Sequence, residues 1–421
     1  MTVSCEEQGF GAVLNASFAT LLARLTVQDG TGQVSRRLFS LAHPLECSIN
    51  CRDCDFADAW EESPLSIFCH LLNGSDPLTL ETHIDAHGQR YRYAIKKQNM
   101  FLIHNSPKQA FLLASALVDV HRPNGTWYVQ SQEDLAHALF LKLLDADIDF
   151  NTHPAIDAAG AAAQLHSSNE KKELLELLIA FEMLCSPIPE SLSNAIDEWS
   201  QALECDTDLL KLSRELANNA ITQATSDFYR HNWIGEGNHQ DDPAFQNLVR
   251  KYGDHAYGLC VQEDPDEYAK WDNLKNYPQE SLGRHLWDFY QTRRFKLPGE
   301  LGAGNSSLAH HDWIHLIAGY DTTPVGELEV TAFMASSSQF PGVTLGFIGA
   351  ISILETGLLH SFYGADKFGK ALSSVDGIDR VAQAIQRGKS CLVDPLLDID
   401  FFSIAETPLE EVRASWWSVS A

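Results

Sequence analysis

The chain has 421 residues, 44% hydrophobic and 21% charged, an ordinary globular composition that is long for one core and predicts two domains. Its 57 acidic against 30 basic side chains give a formal charge of −27, which repels phosphate backbones and argues against nucleic acid as a partner. Nine scattered cysteines, an odd number, suit a reducing compartment better than a disulfide framework.

The first residues, Met1 to Glu7, show neither a basic n-region nor an apolar h-region, and Glu6 and Glu7 do not fit a transit peptide. The expected location is the cytoplasm, peripheral to a membrane at most. In chain order, Phe18 to Leu25 reads as a helix. Cys47, Cys51 and Cys54 have the spacing of a radical-SAM cluster motif, with His43 four residues upstream. That motif needs a strand–helix barrel behind it, and none is legible, so no iron–sulfur cluster is expected. A structural zinc site is the next reading, and free reduced thiols the favoured one. Leu78 to Ile84 alternates apolar and polar residues, Gly88 offers a turn, and Tyr91 to Ile95 and Met100 to Ile103 complete a hairpin or small sheet. Ala110 to Val120 reads as a helix, Asn124-Gly125 as a turn and Trp127-Tyr128-Val129 as a short strand. Ser131 with Asp134 marks another helix start.

From about residue 155 the pattern turns helical: Ala161 to Leu165, Lys171 to Leu184, Leu192 to Leu203 and Leu209 to Arg230, punctuated by Pro187 and Pro189. The predicted class is mainly α. A mixed α+β domain of unknown role occupies 1–155, a helical connector 156–204, and an all-helical domain 205–421.

That last domain carries the most informative segment. In Ala309 to Tyr320, His311 and His315 are four residues apart and project from one helical face, as two imidazoles must to share one divalent ion. His310 points elsewhere. Gly319 is placed to end the helix, Thr323 to cap the next and Pro324 to open it, so the reversal returns Glu327 towards the histidines. Two histidines and a carboxylate suit either a hydrolytic zinc centre or a non-haem iron oxygenase centre. Further on, Val343 to Leu359 is apolar nearly all round, a buried helix whose Gly346, Gly349 and Gly357 permit close approach of a neighbour or ligand. Arg284, His285, Arg293 and Arg294 are weaker candidates for an anionic headgroup or ring carboxylate, and Tyr320 for a substrate contact.

The run His311-Asp312-x-x-His315, eleven residues, then Glu327 resembles the HDxxH-x11-E motif of the Coq-four family of ubiquinone-biosynthesis proteins. Leu282 to Phe289, Gly319-Tyr320, Gly326-Glu327, Ala332 to Pro341 and Pro408 to Arg413 are similar to the family's flanking segments. The resemblance covers roughly residues 205–421 and marks a divergent member with an extra N-terminal region. It implies an all-helical fold holding a divalent ion, zinc or iron, beside an apolar channel for an isoprenoid tail. His311, Asp312, His315 and Glu327 become the metal-site residues, Asp312 as a fourth ligand or as a partner of one.

The leading expectation is a metal-dependent enzyme acting on a small aromatic or carboxylated molecule, with Asp312, His315 and Glu327 catalytic. Its implied chemistry is oxidative decarboxylation of quinone precursors, or a hydroxylation in natural-product tailoring. The alternatives are a zinc hydrolase and a non-catalytic lipid-binding or scaffold protein with a structural metal. The partner is expected to be a small molecule with an apolar tail, within a homo-oligomer or biosynthetic complex.

Overall fold

A computed structural model describes residues 106–237, 242–361, 369–374 and 376–417, and the backbone of three strands in the first 41 residues. The chain divides into two units, residues 1–98 and 99–421. In the first, β1 (Thr2–Glu6), β2 (Leu21–Gln28) and β3 (Val34–Leu41) pair antiparallel in that order, with Leu25 opposite Cys5 and Arg37. The helix expected over 18–25 is thus corrected to strand from Leu21. There Ala23, Leu25 and Val27 alternate with Arg24, Thr26 and Gln28, the period of a strand. The segments expected as strands at 78–84, 91–95 and 100–103, and the His43, Cys47, Cys51 and Cys54 cluster, lie outside the described residues.

The described part of the second unit is helical. Its first group is α1 (Pro107–His121), α2 (Gln130–Leu143), α3 (Ala158–Ala162), α4 (Ser168–Glu182) and α5 (Glu190–Leu203). Ser106 with Gln109 and Ser167 with Glu170 close capping boxes that start α1 and α4. Helix α4 is the axis of this group, buried continuously from Glu173 to Glu182. The strand expected at 127–129 is absent: Trp127 packs its ring on Phe150 and Phe181, at centroid distances of 5.4 and 6.3 Å. Three residues with no partner strand among the described residues gain more from that burial than from an unpaired ladder.

The expected long helix over 209–230 is two, α6 (Asp208–Ala217) and α7 (Ile221–His231). Asn218 ends the first and Asn219 takes a left-handed φ of +58°, a conformation asparagine tolerates better than most residues. There follow α8 (Trp233–Gly237), α9 (Pro243–Tyr252), α10 (His255–Gly258), α11 (Pro265–Asp272) and α12 (Leu282–Arg293). The chain closes with α13 (Ser306–Ala318), α14 (Pro324–Ser337), α15 (Val343–Ile351), α16 (Gly377–Ser390) and α17 (Leu409–Trp416).

One hydrophobic cluster runs from Ala110 to Trp416. All nine residues of α15 are buried, as its apolar sequence predicts, and its glycines admit neighbouring helices. A Cβ on Gly346 would meet the Trp233 ring at 2.6 Å, and one on Gly349 the Phe228 ring at 2.0 Å. Beneath α13 lies an aromatic stack in which Trp313 lies flat on Phe401, centroids 5.4 Å apart, with Trp416 and Phe333 continuing it. That stack fixes one face of α13 and leaves the other for the histidines. No helix among the described residues is long and apolar enough to cross a membrane.

Candidate metal centre

Helix α13 begins at Asn305, whose side chain accepts from the Leu308 N–H at 3.0 Å, and ends at Gly319, left-handed at φ +76°. The tight reversal follows as its sequence predicts. Asp321 accepts from the Thr323 N–H, Thr323 caps α14 through the Gly326 N–H at 3.2 Å, and Pro324 opens the helix. Residue 326 must be glycine here, because a Cβ would lie 2.0 Å from the Asp321 carbonyl oxygen. The next residue is Glu327, carried back to α13.

Four side chains converge. His315 Nε2 lies 3.4 Å from Glu327 Oε2, His311 Nε2 3.5 Å from the same oxygen, and His311 Nε2 3.6 Å from Asp312 Oδ1. The ligand atoms of His311, Asp312 and His315 all fall within 4.8 Å of one another. Metal–ligand bonds of about 2.0–2.1 Å put neighbouring donors of a tetrahedral shell roughly 3.3 Å apart. The contacts of 3.4–3.6 Å are ion pairs, longer than a good hydrogen bond and close to the donor spacing of a coordination shell.

The second nitrogens support the same assignment. His311 Nδ1 donates to the Leu308 carbonyl and His315 Nδ1 to the Tyr320 carbonyl at 3.3 Å. Each Nε2 then faces the carboxylates, the side from which carbonyl-bound histidines ligate an ion once Nε2 gives up its proton. His315 is 1% exposed, and its Nε2 is buried without a hydrogen-bond partner. Its nearest polar neighbour on that side is Glu327 Oε2, at 3.4 Å. Asp312 is turned by Tyr290, whose hydroxyl donates to Oδ2. The residues present fit a divalent ion.

The electrostatics are those of charge held in pairs. Burial would lower the His311 pKa, yet Asp312 and then Glu327 outweigh it and push it up to about 9. Burial would raise Glu327, but His315 first and His311 next hold it well below the usual carboxylate range. Glu327 keeps 34% of its side chain exposed, so the site opens on that side. The Trp233 ring flanks His311 at 5.7 Å and Phe289 flanks His315 at 6.2 Å.

Other sequence candidates lie apart from this shell. His310 bonds the Pro395 carbonyl at 3.0 Å and packs on Phe401, away from the site as expected. Arg284 bonds Asp288 and the Lys275 carbonyl and lies over Trp287, while His285 donates to the Ser281 carbonyl. Arg293 bonds Thr322 and covers Phe289, and Arg294 is the left-handed residue that ends α12. Tyr320 serves the site through its carbonyl; its hydroxyl is buried without a partner. Sequence reasoning missed Tyr290 and Trp233. Tyr290 had one legible cue, its place on the same helix as Leu282 to Phe289; Trp233 had none.

No protein-family model matches the chain, and no curated protein does. Among solved structures, the chain is similar to one described as a "Putative ubiquinone biosynthesis protein" from Nostoc punctiforme. The identity is 18%, over 59% of this chain and 97% of that one, with a TM-score of 0.24.

Proposed function

We propose that His311, His315 and Glu327, with Asp312, hold one divalent cation, zinc or iron, and that the chain is a metal-dependent enzyme acting on a carboxylated or oxygenated aromatic molecule. The observation that carries this reading is the convergence of His311 Nε2 and His315 Nε2 on one oxygen of Glu327, at 3.5 and 3.4 Å, with Asp312 beside them. The bound ion supplies Lewis acidity, stabilising negative charge on a substrate oxygen. The protein's own part is positioning. The Leu308 and Tyr320 carbonyls fix the two imidazoles, and Tyr290 fixes Asp312. Asp312 and Glu327 bring the charge that balances the cation, and the open edge at Glu327 admits the substrate. The motif's resemblance to a quinone-biosynthesis family narrows the substrate class to ring-carboxylated precursors and the reaction to loss of that carboxylate as carbon dioxide, with dioxygen as the co-substrate that takes up the electrons and supplies the ring hydroxyl.

The hydrolase alternative is the weaker one. A general base in the Asp312 position would need a free oxygen towards the ion, and Asp312 spends one oxygen on Tyr290 and faces His311 with the other. The test is turnover: carbon dioxide release from a prenylated hydroxybenzoate, measured on wild type and on His315→Ala. Product from wild type only is the expected result. Full activity in a metal-free, well-folded protein would remove the ion from the mechanism, and a bound ion without turnover in any condition would leave a structural metal.

A further inference from the structure

The last four carbonyls of any α-helix lack intrahelical partners, and in most helices water or a left-handed cap takes them. In α13 all four are accounted for within the protein. The His315 carbonyl accepts from the Gly319 and Tyr320 N–H groups at 2.8 and 3.0 Å. Arg413, on α17, donates to the Leu316 carbonyl through Nη2 at 2.7 Å and to the Ile317 carbonyl through Nε at 3.3 Å. Arg387, on α16, donates to the Ala318 carbonyl through Nη1 at 2.8 Å. Its guanidinium also lies over the Tyr320 ring, 5.1 Å from the centroid, and over Trp417 at 5.0 Å. Arg413 is itself braced by Glu410. Two cations from separate helices thus meet the negative end of the helix that carries both histidines, where the macrodipole favours them.

The geometry leads from that clamp to the ligand. Tyr320 is the residue whose carbonyl receives His315 Nδ1–H, so the position of that carbonyl sets the tilt of the ring and the direction of Nε2. Arg387 holds Tyr320 by its ring and Ala318 by its carbonyl, on either side of Gly319. We propose that Arg387 and Arg413 are positioning residues of the metal centre, clamping the last turn of α13 and, through Tyr320, aiming the His315 imidazole. The inference rests on the metal reading above and adds to it two residues that touch no ligand.

The test uses cobalt(II) as the probe on the full chain, reading its affinity and visible absorption, with melting temperature measured in parallel. Arg387→Met and Arg413→Met keep the apolar stems and remove the guanidinium; each is expected to weaken cobalt(II) binding about tenfold, as loss of an outer partner does, and to alter the visible band. Arg387 gives one carbonyl a single bond, so Arg387→Lys should recover affinity to within about threefold of wild type. Arg413 spans two carbonyls with its fork, so Arg413→Lys should not recover it. A purely structural role would lower the melting temperature and leave the affinity and spectrum of the folded protein unchanged, which would overturn the proposal. Should a methionine variant not fold, equal cobalt(II) affinity in wild type and both lysine variants overturns it as well. Wild-type protein that binds no cobalt(II) would instead refute the metal reading itself.

Discussion

His121 and His315 are both buried histidines, 0% and 1% exposed, and they are used in opposite ways. His121, between α1 and α4, donates Nε2–H to the Leu178 carbonyl at 3.0 Å, and its Nδ1 accepts from the buried amide of Gln132 at 3.1 Å. Both ring nitrogens are satisfied, and burial pushes its pKa down to about 3 against the Leu178 bond, so the ring is neutral. His315 satisfies one nitrogen with the Tyr320 carbonyl and leaves the other facing a carboxylate. A histidine that completes a core closes both of its bonds within it; one that serves a cation turns its second nitrogen towards the other donors. Burial alone does not separate the two uses. The second nitrogen does.

Mutation should break the pair apart in opposite directions. His315→Ala is expected to weaken divalent-ion binding at least a thousandfold, about 4 kcal/mol, measured by titration with zinc or cobalt(II). Its folding cost should stay near 1–2 kcal/mol, because His315 makes one long hydrogen bond, to the Tyr320 carbonyl at 3.3 Å, and His311 still pairs with Glu327. His121→Ala should do the reverse, costing about 2–4 kcal/mol in chemical denaturation and leaving ion affinity unchanged, since it opens a cavity in the core and removes one bond each from the Leu178 carbonyl and the Gln132 amide. A common effect of both variants on binding and stability would erase the distinction.

Smaller effects sharpen it. Tyr290→Phe removes the hydroxyl that turns Asp312 and is expected to cost about tenfold in ion affinity, with a loss of activity to match. Glu176 belongs with His121: burial raises its pKa to about 7, with Lys172 at 3.6 Å opposing. A raised carboxyl binds its proton more tightly in the folded state, so its contribution is favourable up to about pH 4.5 and is lost as pH rises through 7. Glu176→Gln should therefore be near neutral at pH 5 and stabilise by about 1 kcal/mol at pH 8.5, read as the shift in urea midpoint.

Where local rules suffice, the sequence announced its structure. The His311–His315 spacing, the Gly319 cap, the Thr323–Pro324 start and the return of Glu327 all follow from caps and periodicity within seventeen residues of chain, and the fold forms each. The buried α15 likewise follows from a run with no polar face, though the helix expected to Leu359 ends at Ile351 and gives way to a wider turn over Ser352–Thr356. Long-range contacts were illegible, because no local pattern encodes them. Tyr290 reaches Asp312 across 22 residues, Arg413 reaches the end of α13 across 97, and Trp233 comes beside His311 because Gly346 leaves it room. Local reasoning also misread short segments whose outcome tertiary packing decides, as at Trp127, where an aromatic cluster outweighed strand propensity.

The central claim is that the open nitrogen of His315 and its neighbours form one cation site. Elemental analysis of the purified full chain, after incubation with a divalent metal and removal of the excess, tests it most directly. The account predicts one tightly held ion per chain in wild type and none in the folded His311→Ala/His315→Ala double variant. An ion-free wild type, or an ion retained by the double variant, would contradict it.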